Sequence, residues 1–162
     1  MNGAESIRAI VVGVLPSLTR VRVEAEARPT EDVERVKRAI LNVFAPERIW
    51  VEDLGRGYRL VVAESYSLRG LLRLHERLRR ERILDAARGY MLRGIDQGVL
   101  VFRLNKQAAY VGRVSLVDMD AEAALGPITF IVEHRDPRAV VDWLAPPTRM
   151  GRPLYENPMP ED

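Results

Sequence analysis

The chain has 162 residues, no cysteine, 47% hydrophobic and 30% charged residues, and a formal net charge of +2. That length suits one domain with appended ends, and the composition is that of a folded chain rather than a disordered one. The missing cysteines exclude disulfides, iron–sulfur clusters, thiol catalysis and cysteine-bound zinc, and no stretch reaches the 18 or so apolar residues of a membrane-spanning helix.

In chain order, Ile7 to Leu15 is the first apolar run. Glu5 stands where a signal peptide would be basic and no small-residue cleavage site follows, so the run reads as a buried strand or docked arm. Arg20 to Arg28 alternates strictly, with Val21, Val23, Ala25 and Ala27 on one face, and predicts a half-buried strand. Thr30 reads as the cap of a following helix whose Val33, Val36, Ile40 and Val43 share a face, with Glu31–Arg35 and Glu34–Arg38 as i,i+4 pairs. Arg48 to Leu54 and Tyr58 to Ser65 are strand-like, joined by a Gly55-Arg56-Gly57 hairpin turn. Leu68 to about Arg93 is helical, but its apolar face slips at Arg79–Arg82, so the helix breaks there or its halves pack on different neighbours. Val99 to Leu104, Gly112 to Val117 and Ile128 to His134 predict three more strands, with a short helix or bend at Asn105 to Tyr110. Asp136 caps and Pro137 opens a last helix through Leu144. Residues 149–162 form a proline-rich, extended C-terminal tail. Helices and strands do not alternate one to one. The expected class is therefore α+β, a mixed and largely antiparallel sheet with helices packed on one face.

Charge is unevenly placed. There are 23 arginines against two lysines, Lys37 and Lys106. Asn and Gln together number six, which fits a heat-adapted source, although arginine bias also follows from codon usage. Leu68 to Gln97 carries eight arginines against Glu76, Glu81, Asp85 and Asp96, a net +4, while every other segment is near neutral. Arg69, Arg73, Arg77 and Arg80 make a basic stripe away from the leucines. A localised basic element is either a polyanion footprint or a solvated helix face.

No catalytic constellation is present, and the chain reads as a non-enzyme without metal or cofactor. His75 sits among leucines as a core or boundary residue, and His134 ends a strand as an exposed one. Asp118, Asp120 and Glu122 form an acidic loop that needs no cation. Ser65, Ser67 and Ser115 lack a nucleophile-elbow setting. Glu24 and Glu26 read as cross-strand partners of arginines.

Five segments taken together resemble a known family. They are Arg28-Pro29-Thr30-Glu31-Asp32-Val33-Glu34, Arg79 to Arg88, Leu104-Asn105-Lys106-Gln107-Ala108-Ala109-Tyr110-Val111-Gly112, Gly126-Pro127-Ile128 and Asp142-Trp143-Leu144-Ala145-Pro146. In this order they resemble an archaeal family of small stand-alone proteins of unassigned function. That family carries an RNA-binding label and folds like the large-subunit ribosomal protein that binds 5S ribosomal RNA. The resemblance implies one domain over 19–148, an N-terminal extension at 1–18, and an archaeal, cytoplasmic protein.

Two functions compete. The first is a module that recognises structured RNA through arginine forks. Its candidate residues are Arg73, Arg77, Arg79, Arg80, Arg82 and Arg88, with Asn105, Lys106 and Gln107 as polar readers. Against it, Arg82 and Arg88 can pair with Asp85 and Glu81, and Asn105 to Gln107 can merely cap and turn the chain. The second is a non-catalytic structural or protein-interaction module, a homodimer built on Ile7–Val14 or on the tail.

Overall fold

The computed structural model describes residues 19–117 and 126–162; Ile7–Val14 and the acidic loop with Asp118, Asp120 and Glu122 lie outside them. The elements are β1 (Arg20–Ala27), α1 (Val33–Val43), β2 (Arg48–Gly55), β3 (Tyr58–Ser65), a 3-10 turn (Leu68–Leu71), α2 (Leu72–Arg80), α3 (Leu84–Arg93), β4 (Ile95–Asp96), β5 (Val99–Asn105), α4 (Lys106–Tyr110), β6 (Pro127–Glu133) and α5 (Pro137–Leu144), then a small hairpin of β7 (Thr148–Arg149) and β8 (Arg152–Pro153). Six strands form one sheet in the order β2-β3-β1-β6-β5-β4, and every neighbouring pair is antiparallel. The α+β expectation holds, with helices on one face.

Alternation in β1, β5 and β6 turns every second side chain into one core. Phe130 lies at its centre, stacked on Phe102 at 4.7 Å between ring centroids and meeting Phe44 edge-on at 5.9 Å. The helices close over this face with Val36, Ile40, Leu74, Leu78, Met91, Val140 and Leu144. Gly94 is where α3 meets β5. A Cβ there would stand 2.1 Å from the Val101 carbonyl oxygen, so only glycine fits.

Several local expectations are corrected. The cap of α1 is Asp32, which accepts the Glu34 N–H at 2.9 Å, not Thr30. Glu31 is drawn away from Arg35. Its carboxylate takes the Arg28 N–H and the Lys106 ammonium, each at 2.9 Å, which leaves Arg35 to lie over the Tyr110 ring at 4.5 Å. Glu34 reaches Lys37, 3.6 Å away, and not Arg38. Gly112 to Val117 forms no strand, only a bridge from Leu116 to Leu104, because the chain is still turning off α4 through Gly112 at φ 79°. His134 is buried, 6% exposed. Its Nδ1 accepts the Asp136 N–H at 2.9 Å, so the opposite Nε2–H donates to the Glu161 carbonyl at 2.7 Å. The extended tail that holds it packs on the domain. Asn157 donates to the Asp142 carbonyl, Met159 packs on the core, and Asp162 accepts the Leu68 N–H. Among the described residues no helix is long and apolar enough to cross a membrane.

Candidate nucleic-acid interface

Helix ends leave carbonyl oxygens without intrahelical partners, and cations favour the negative end of the helix dipole. Helix α1 has no basic residue in its last turn. Helix α2 supplies two from outside. Arg73 donates to the Leu41 and Phe44 carbonyls, and Arg77 donates to the Asn42 carbonyl at 2.8 Å and the Gly112 carbonyl at 2.6 Å. Arg79 does the same for the end of α5, donating to the Leu144 and Trp143 carbonyls and to its own helix at His75. It also forks onto the Glu156 carboxylate at 2.9 and 2.6 Å. That fork holds the Glu156 carboxyl below its ordinary range. His75, stacked on Trp143 at 5.0 Å, has its pKa lowered by burial first and by the Arg79 charge second. Arg88 pairs with Asp142 at 2.8 Å and donates to the Ala145 carbonyl. Glu81 takes Arg113 instead, at 3.3 Å. These four arginines therefore bind the helical layer together.

Arg80 and Arg82 point outward. Arg80 is 63% exposed and touches only Glu76, in a surface pair of small energetic worth. Arg82 is exposed and bonds to no other described residue through its side chain. Its backbone explains the broken helix. The Ile83 N–H reaches back to the Leu78 carbonyl and the Arg82 N–H to the Arg79 carbonyl, and Arg82 has φ 57°. This is the Schellman ending of a helix, with arginine where glycine is usual.

The β7–β8 hairpin docks beside this corner, with Thr148 Oγ donating to Asp85 at 3.4 Å. Its two-residue loop, Met150-Gly151, has both φ angles positive, 55° and 79°, as a tight hairpin turn requires. Arg149 and Arg152 stand directly opposite one another, a pairing that like charges disfavour. Met150 is 96% exposed at the tip. Between the corner and the hairpin lies a cavity of about 180 Å³ lined by Arg79, Arg82, Leu84, Met150, Gly151, Arg152 and Pro153. Its charged lining is three arginines and no carboxylate. Leu84 is the first residue of α3, and Ile83 gives that helix no side-chain cap. The sequence pointed to Arg79 and Arg82 but missed Arg149 and Arg152. Acidic neighbours in the tail cancel those two in any segment sum, and the available signal was the Met-Gly turn between two arginines.

Asn105, Lys106 and Gln107 lie elsewhere, at the start of α4 beside α1. Asn105 caps α4 by accepting the Ala108 N–H. The Lys106 ammonium is buried against Glu31 and the Glu26 carbonyl. Gln107 is exposed on the rim of an open groove of about 600 Å³. Glu31 and Asp32 line that groove together with Arg35 and Lys106, so its charges cancel. The groove is larger than the corner cavity but offers a polyanion no net attraction.

A family profile described as RNA binding matches residues 20–134. The chain belongs to this family, and its relatives in archaea include UPF0201 proteins. A UPF0201 protein of Metallosphaera sedula is 56% identical over 145 residues, covering 90% of this chain and all of that relative. One from Aeropyrum pernix is 51% identical over 147 residues, covering 90% and 97%. The crystal structure of a UPF0201 protein from Methanococcus jannaschii superposes with a TM-score of 0.73 at 31% identity, over 84% of this chain and 99% of that one. The RNA-binding profile ends before α5, so the β7–β8 hairpin lies beyond the residues it matches.

Proposed function

We propose that this UPF0201 chain is a non-catalytic, cytoplasmic module that binds structured RNA at the corner between α2, α3 and the β7–β8 hairpin. The observation that carries the reading is the cavity with three arginines and no carboxylate. Three locally unfavourable choices meet there: Arg82 and Met150 at positive φ, and Arg149 facing Arg152. Local rules fail together mainly where function overrides them. An anion resolves the charge conflict, and a phosphate between Arg82 and Arg152 also meets the uncapped start of α3. The exposed Met150 supplies an apolar contact beside the phosphates, as wedge residues do in nucleic-acid grooves. The match to the family profile described as RNA binding supports RNA as the target class.

Among the residues picked out from the sequence, Arg80 and Arg82 act as phosphate contacts and Arg79 as the fixed back wall. Arg73, Arg77, Arg88, Asn105 and Lys106 set the frame that presents them, and Gln107 remains a polar contact for RNA reaching the α1–α4 groove. The test is fluorescence anisotropy on a structured RNA hairpin across salt concentrations. Three phosphate contacts, at Arg80, Arg82 and Arg152, predict a slope of log affinity against log salt of about −2 to −3. Arg82→Glu with Arg152→Glu should lower affinity at least tenfold and flatten that slope. Unchanged affinity in this folded double variant would overturn the proposal.

A further inference from the structure

Strand β2 is the outermost strand of the six-stranded sheet, and among the described residues nothing pairs with its free edge. Exposed edges of this length are templates for pairing, and natural proteins usually blunt them with charges that repel a second strand. Here the charges do the opposite. Arg48-Ile49-Trp50-Val51-Glu52 is its own complement about Trp50: a cation, an apolar residue, an aromatic, an apolar residue, an anion.

We infer that β2 pairs antiparallel with β2 of a second copy, on a two-fold axis through Trp50, to make a continuous twelve-stranded sheet. Residues facing each other across an antiparallel ladder share a sheet face, so a self-pairing register must be centred on a residue and not between two. Centred on Trp50, the register sets Trp50 against its symmetry mate, Ile49 against Val51, and Arg48 against Glu52 twice over. Shifted to Val51, it sets Trp50 against Glu52 and Ile49 against Asp53. Shifted to Ile49, it sets Glu47 against Val51. Only the Trp50 register matches apolar with apolar and opposite with opposite. The side chains already lean toward this arrangement. The Arg48 guanidinium lies 4.7 Å from the Trp50 ring centroid, and the Trp50 indole N–H donates to Glu52 at 3.4 Å. Val51 is 36% exposed on the other face, where Ile49 of a second copy would cover it. The two-fold axis runs perpendicular to the sheet, so the helical layers of both copies lie on the same side. This inference stands independently of the RNA reading.

The test is the molar mass of the full chain by light scattering across a concentration series, with melting curves as the check on folding. The expected mass is twice 18.4 kDa. Arg48→Glu alone and Glu52→Arg alone should each weaken dimerisation at least tenfold, and the double exchange should restore it to within a few-fold. Trp50→Ala should give a monomer. A chain that stays at 18.4 kDa at every concentration overturns the inference. So does a dimer indifferent to both single exchanges, which would place the contact on another segment such as Ile7–Val14.

Discussion

Arg79 and Arg82 are three positions apart and do opposite work. Arg79 spends its guanidinium on Glu156 and on carbonyls of two helices, so Arg79→Ala should cost about 2–3 kcal/mol, read as a lower urea midpoint, because buried acceptors lose their donor. Arg82 holds nothing inside the described fold and strains its own backbone. Arg82→Gly should leave stability unchanged or raise it by up to ~1 kcal/mol while RNA affinity falls, a split that a purely structural arginine would not produce. The sequence could not separate the two. Both sit in one basic run, and what distinguishes them is the position of α5 and the tail, which no local pattern encodes. His75 adds a pH signature. Burial and Arg79 lower its pKa below the ordinary 6.5, so the unfolded chain protonates first as pH falls. The contribution of neutral His75 is full above that value and is lost below it. The urea midpoint should therefore fall between pH 7 and 5.5, and His75→Phe should fall less; equal slopes would contradict this.

At the scale of elements, periodicity carried far. The alternation of β1 and the Asp136-Pro137 start of α5 appear as read, and the slip of the apolar face marks the break between α2 and α3. What failed was competition between neighbours. Glu31 is a good first-turn residue, but Lys106 claims it from the neighbouring helix α4, far away in sequence. The tail shows the limit of composition. Its prolines and acids read as an extended segment, and Glu156, Asn157, Glu161 and Asp162 bind α2, α5, His134 and the 3-10 turn, contacts of long sequence separation that composition does not show. Removing residues 156–162 deletes four such contacts and the packing of Met159. The loss should be about 3–5 kcal/mol, measurable by chemical denaturation.

For the molecule as a whole, the antiparallel sheet separates two surfaces. The edge strand β2 lies at one end of the strand order, while the arginine corner is built from helices and a hairpin on the covered face. Half of the eight arginines in the basic central segment, Arg73, Arg77, Arg79 and Arg88, hold this frame, and Arg80 and Arg82 face outward where α2 ends and the hairpin docks. The most direct measurement is ultraviolet crosslinking of the full chain to a structured RNA, with the attached peptides identified by mass spectrometry. Crosslinks at Met150, at Tyr155 and in the peptide carrying Arg82 are expected. Crosslinks confined to the α1–α4 groove or to β2, with none at the hairpin, would contradict the central claim.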